Sequence, residues 1–182
     1  MQKISNIVLH HSASWFGNVT MIDKWHKQNG WRCIGYHFVI LNGYPNSKWK
    51  TPIIPLIGSI DMGRELDDNE WLDNIEVGSH VLGFNSASIG ICLIHSGMEK
   101  DTPRDKFYSQ QLTSAINLVE FLCDYFKIKY SNVFGHYEKD KKKPDCPGFN
   151  MDLFREALTG PEGKKEFAQY MILNNKVISN LP

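Results

Sequence analysis

Strand-like apolar runs alternate along this chain with stretches of helical periodicity, and that alternation limits the folds open to it. The clearest core strand is Ser88–Ile94 (SIGICLI), an apolar run of strand length. A long helix is expected after it, from about Ser109 to Phe126. There Leu112, Ala115, Ile116, Val119, Leu122, Cys123 and Phe126 recur at helical spacing. Ile4–His10 reads as a buried strand, and Gly35–Leu41 (GYHFVIL) as another. Between them Thr20 is placed to cap a helix that starts at Met21 and stops near Gly30. Residues 43–61 carry Gly43, Pro45, Pro52, Pro55 and Gly58 among short apolar runs, which suits an irregular loop or a hairpin insertion. Val133–Gly135 looks like a short strand feeding a loop, and Asn150 is placed to cap a helix from Met151. After Gly160 one more amphipathic helix is expected over Lys164–Asn174, with the last residues frayed. Strands alternating with helices predict an α/β domain: one central mixed β-sheet flanked by helices. The main domain spans 1–160, and 161–182 form a C-terminal extension of a short helix and tail.

Charge and cysteine usage narrow the function classes. Twenty Lys and Arg balance twenty Asp and Glu, so no basic excess points to nucleic acid as a partner. The N-terminal apolar run, Ile7–Leu9, is too short for a secretory core, and no stretch reaches the length of a membrane span. The expectation is synthesis in the cytoplasm, without stable membrane insertion. The four cysteines, Cys33, Cys92, Cys123 and Cys146, form no CxxC pair and suggest no disulfide framework.

Seven histidines are the other chemical resource. His10, His95 and His136 fall at strand ends or strand-to-loop junctions, where open α/β sheets build their sites. His136 precedes Cys146 by ten positions on one loop, and a distant histidine would complete a set of three ligands. Zinc takes imidazole and thiolate, and a catalytic zinc keeps its fourth position for water. A lone His or Cys is more often structural, and there is no HExxH or CxxC here. Spacing by itself therefore leaves the metal and structural readings both open.

A set of short motifs occurs in order: Val8-Leu9-His10-His11-Ser12-Ala13, Gly35-Tyr36-His37-Phe38, Gly63-Arg64, Gly78-Ser79-His80, Gly83-Phe84-Asn85, Ser88-Ile89-Gly90-Ile91 and Cys146-Pro147-Gly148-Phe149. In this the chain resembles the zinc N-acetylmuramoyl-L-alanine amidases of the bacteriophage-lysozyme and peptidoglycan-recognition-protein type, over roughly residues 4–158. The resemblance implies Zn2+ at the strand ends of the sheet, held by His10, His136 and Cys146, with Asp145 a runner-up to the cysteine. His11 is left as a packed or partly exposed histidine, because strand neighbours point to opposite faces. Tyr36 matches the family's active-site tyrosine, a donor to the oxyanion of a tetrahedral intermediate. Phage members carry a lysine two residues before the zinc cysteine. Here Pro144 stands there, and Lys143 either reaches in from one place away or belongs to a solvated basic run. The resemblance places His80, Phe84 and Asn85 along the substrate groove, and Arg64 against a stem-peptide carboxylate. His26, His37 and His95 are read as structural, and Cys92 and Cys123 as core residues.

The implied reaction is hydrolysis of the amide joining the lactyl group of N-acetylmuramic acid to L-alanine in bacterial peptidoglycan. Further implications are a monomeric endolysin, active on the cell wall after release through a membrane pore. Two other functions fit the same fold: a peptidoglycan-binding protein without catalysis, and a regulator that binds another protein.

Overall fold

The computed structural model describes residues 1–97 and 106–178. Its strands and helices run, in chain order, β1 (Gln2–Lys3), β2 (Asn6–His11), α1 (Val19–Gln28), β3 (Phe38–Asn42), β4 (Ile57–Met62), β5 (Trp71–Leu72), β6 (Ser88–Leu93), β7 (Phe107–Tyr108), α2 (Ser109–Tyr125), β8 (Val133–Gly135), α3 (His136–Lys139), α4 (Met151–Ala157), α5 (Pro161–Leu173) and β9 (Val177–Ile178). Five of the strands form one mixed sheet in the order β4-β3-β6-β2-β8. All six residues of β6 are buried, as its unbroken apolar run requires of a central strand. β6 pairs in parallel with β2 on one side and with β3 on the other. β8 is parallel to β2, and β4 closes the other edge antiparallel to β3.

Alternation along the strands sorts side chains between two layers. Ile7, Leu9, Phe38, Ile40, Ile89, Ile91, Leu93 and Val133 join the larger core, which the apolar faces of α2, α4 and α5 cover. Val39, Leu41, Cys92 and Ile94 face the other way and meet Ile22 of α1. His10 lies directly opposite Cys92 in the β2–β6 register and so shares this second face. The α2 layer is tied to the sheet by buried Gln111, whose Nε2 donates to the Ile94 carbonyl (3.1 Å) while its Oε1 accepts from the Tyr108 N–H (3.1 Å).

Several boundaries differ from the sequence expectation. The cap of α1 is Asn18, not Thr20: the Asn18 backbone is extended and its Oδ1 accepts from the Met21 N–H at 2.9 Å. Thr20 is already inside the helix. The strand expected from Gly35 begins only at Phe38. Residues 35–37 instead bond to the loop before β6 and to β6 itself: Ser79 N–H donates to the Gly35 carbonyl (3.0 Å), and His37 N–H to the carbonyl of Gly90 in β6 (2.9 Å). Any Cβ at Gly35 would collide with the Ser79 carbonyl, so this approach needs glycine. The 43–61 segment resolves into a loop and the edge strand β4, a hairpin on β3. α5 starts at Pro161, ahead of the expected Lys164, with the proline in the first turn where its missing N–H costs nothing. Asn150 caps α4 as expected, accepting from Asp152 and Leu153 N–H.

α5 buries Phe167 and Met171 in the larger core. The tail expected to fray is paired as far as Ile178, β9 lying parallel to β7. Residues from 179 on lie outside the described ones. No helix among the described residues is long and apolar enough to cross a membrane.

Candidate metal centre

The parallel register decides what meets at the sheet's C-terminal end. Leu9 pairs with Gly135, so His10, still within β2, and His136, the first residue past β8, come side by side. The loop after α3 then folds back. Lys143 N–H bonds to the Asp140 carbonyl (3.0 Å), Cys146 N–H to the Lys143 carbonyl (3.2 Å), and Tyr137 N–H to the Cys146 carbonyl (2.9 Å). The outcome is convergence of His10 Nδ1, His136 Nδ1 and Cys146 Sγ. The two nitrogens are 3.1 Å apart and the sulfur is 4.0 Å from His10 Nδ1. All three ligand atoms lie within 4.8 Å of one another, the one such group among the described residues.

The donor set fits a tetrahedral zinc. Zn–N near 2.0–2.1 Å and Zn–S near 2.3 Å imply edges of about 3.3 Å between nitrogens and about 3.6 Å between nitrogen and sulfur. The electrostatics agree. Burial, then the neighbouring His80 and His136 rings, hold His10 well below the ordinary imidazole range. Burial also lowers His136, against the pull of Asp140, whose carboxylate lies 4.0 Å from His136 Nε2. Both shifts favour the neutral rings, whose lone pairs can meet a cation. Burial pushes the Cys146 thiol up to about 12, partly offset by a hydrogen bond that Sγ accepts from His11 N–H at 3.3 Å. Capture of a cation would displace the thiol proton.

His136 and Cys146 line an open cleft of about 490 Å³ together with Tyr36, Lys142, Lys143, Pro144 and Asp145, while His10 is buried and does not line it. The Tyr36 ring sits 5.1 Å from the His10 ring. Burial and then the Cys92 and Cys146 thiols push its phenol well above 10, so it remains a proton donor. Lys143 is exposed on the rim, and its charge acts on His11, His136 and Cys146. Lys139, from the same basic run, is occupied elsewhere: its Nζ lies over the rings of Phe134 (3.3 Å) and Phe84 (4.7 Å). His11 faces the cleft, with Nδ1 accepting from Ala13 N–H at 3.0 Å.

The remaining candidates lie apart from the cleft lining. Arg64 is buried, its Nε donating to the Ile34 carbonyl (3.1 Å) and Nη1 to that of Ile75 (3.4 Å). Asn85 Oδ1 accepts from the N–H groups of His80 (2.9 Å) and Val81 (2.8 Å), which fastens the turn between them. Phe84 lies beneath Lys139. His80 is buried behind His10, its Nδ1 3.0 Å from His10 Nε2. Sequence reasoning missed that link and the His11 N–H bond to Cys146. The Asp140 carboxylate beside His136 had a readable signal, its i+4 position. His37 bridges two segments, Nε2 donating to the Glu76 carbonyl (2.9 Å) and Nδ1 accepting from Gly90 N–H (2.9 Å). His26 Nδ1 accepts from Gly35 N–H, and the His95 ring stacks on Phe107 at 3.9 Å.

An open mixed sheet with two imidazoles and a thiol converging at the ends of its parallel strands defines an α/β protein with a three-ligand group that could hold a metal ion beside a cleft. Comparison with known proteins gives the family. The family model described as N-acetylmuramoyl-L-alanine amidase matches residues 1–149. An endolysin of Enterobacteria phage K11 is 34% identical over 164 residues, 87% of this chain and 89% of that one. An endolysin of Klebsiella phage KP32 is 30% identical over 161 residues, 85% and 87% of the two chains. Among solved structures, the N-acetylmuramoyl-L-alanine amidase LysC from Clostridium intestinale URNW superposes with a TM-score of 0.61 at 28% identity, covering 87% of both chains. This chain belongs to the N-acetylmuramoyl-L-alanine amidase family. It is a peptidoglycan amidase.

His37 gives the fold a testable pH dependence. Burial holds it at about 4, below the ~6.5 of an imidazole in the unfolded chain, so the unfolded state binds the proton more readily. Its contribution is complete above about pH 6.5 and is lost as the pH falls towards 4, at up to about 1.4 kcal/mol per pH unit. In metal-free protein the urea midpoint should be level above pH 7 and fall between pH 6.5 and 5. His37→Gln should make that fall shallower. Equal slopes in the two proteins would show that His37 does not contribute.

Proposed function

We propose that the cleft holds zinc on His10 Nδ1, His136 Nδ1 and Cys146 Sγ, and hydrolyses the bond between the lactyl carbonyl of N-acetylmuramic acid and L-alanine. The observation that carries this reading is the convergence of the three ligand atoms beside the cleft, in a chain of the amidase family. When bound, zinc supplies Lewis acidity and makes a hydroxide nucleophile available at neutral pH. The chain's own residues do the rest. Two neutral imidazoles and the thiolate fix the ligand geometry. The half-buried Tyr36 phenol, kept protonated, donates to the oxyanion as the carbonyl carbon becomes tetrahedral. Lys143, on the cleft rim, adds positive charge where negative charge develops. The relatives from phages K11 and KP32 are endolysins. We infer the same role here: action on the host cell wall, after release through a membrane pore.

Digestion of purified peptidoglycan should release new L-alanine amino groups and no new reducing sugar ends. A chelator should abolish this and zinc restore it. Cys146→Ala should lose metal and activity while keeping its fold, because the ligand sits on a loop outside the strands. New reducing ends without new amines would mark a glycosidase and overturn the assignment.

The roles given to Tyr36 and Lys143 are separable by rate. Tyr36→Phe keeps the ring but removes the donor, and kcat should fall on the order of a hundredfold with zinc still bound. Lys143→Ala should cost roughly tenfold or less, about 1.4 kcal/mol, because Lys143 acts from the exposed rim. An unchanged rate in Tyr36→Phe would reduce the tyrosine to packing. Equal losses in the two variants would make the lysine an equal partner.

A further inference from the structure

We propose that His80 is a positioning residue for the metal: it accepts a hydrogen bond from His10 Nε2–H and so holds His10 in the tautomer whose Nδ1 lone pair faces the other two ligands. The inference rests on the reading of the cleft as a zinc site, but the direction of the bond follows from protein atoms alone.

The chain of donors starts at Ser88. Its Oγ donates to the Phe84 carbonyl at 2.7 Å, so its only proton is spent. The Ser88 carbonyl has no proton to give. Both oxygens lie 3.4 Å from His80 Nε2, and each can only accept from it. His80 therefore carries its proton on Nε2, which leaves Nδ1 bare. That bare Nδ1 is 3.0 Å from His10 Nε2, which must then be the donor. A neutral imidazole protonated on Nε2 has its lone pair on Nδ1, the atom 3.1 Å from His136 Nδ1 and 4.0 Å from Cys146 Sγ.

The surroundings hold His80 to this task. A Cβ at Gly78 would come within 2.6 Å of the His80 ring, and one at Gly90 within 2.7 Å, so two glycines make the slot the ring occupies. Asn85 Oδ1 holds the His80 backbone N–H. The residue is 8% exposed, which leaves the ring little surface for a substrate. Histidines that bind metals usually donate their other N–H to a fixed acceptor, and loss of such an acceptor typically weakens metal binding about 10–100-fold.

The test has two parts. In metal-free, 15N-labelled protein, long-range proton–nitrogen correlation should find His10 and His80 both protonated on Nε2. A proton on His10 Nδ1 would overturn the proposal, and this reading needs neither metal nor variant. In zinc competition titrations, His80→Leu should bind roughly 10–100-fold more weakly than wild type. His80→Gln should stay within a few-fold, since its amide oxygen can accept from His10 and its NH2 can donate to Ser88. Unfolding of the metal-free variants checks that each is folded. His80→Leu binding zinc as wild type does would overturn the proposal. His10→Ala is the control. If neither wild type nor His10→Ala binds zinc, the zinc reading fails, while the tautomer measurement still decides the role of His80.

Discussion

The site depends on the parallel pairing of β2 with β6 and β8. Because Leu9 stands opposite Gly135, the next position of each of these adjacent chain segments is a histidine, His10 within β2 and His136 just past β8. A shift of one residue in either strand would turn one of these rings to the opposite face. The register is in turn held by burial. Ile7, Leu9, Ile89, Ile91 and Val133 all meet the α2–α4–α5 layer, and a slip of one residue would turn a strand's whole apolar set away from it. The hydrophobic core thus sets the geometry of a polar site that it does not touch.

Four of the seven histidines, His10, His37, His80 and His95, are buried, an arrangement that costs free energy unless each ring is bonded. No buried side-chain nitrogen or oxygen among the described residues lacks a partner. His37 ties the 35–37 bend to Gly90 and Glu76, while His80 ties Ser88 to His10. The two rings lie 5.9 Å apart at their centroids, with Gly78 and Gly90 giving them room. Rigid surroundings of this kind suit a centre whose ligands must be preorganised.

Much of the architecture was legible because it is periodic. β6 announced itself by a continuous apolar run, and α2 by seven apolar residues at helical spacing. Asn150 was readable as a cap because its bond is local. What the sequence did not disclose depends on distant partners. The 35–37 segment has strand composition but divides its backbone bonds among Gly63, Arg64, Ser79 and Gly90, all distant in sequence. Arg64 looks like a carboxylate binder until two backbone carbonyls claim its guanidinium. His80 carries a motif that suggests a groove, and only the fold places it behind His10. The three proposed ligands could be named from their motifs. Their mutual distances come from the sheet register and from the turn at Asp140–Cys146.

The central claim concerns which atoms hold the metal, and X-ray absorption at the zinc edge addresses it directly. Protein purified with one equivalent of zinc should show nitrogen scatterers at about 2.0–2.1 Å and one sulfur at about 2.3 Å, with the sulfur shell absent in Cys146→Ala. A spectrum of the wild-type protein without a sulfur shell, or with the same sulfur shell retained in Cys146→Ala, would contradict it.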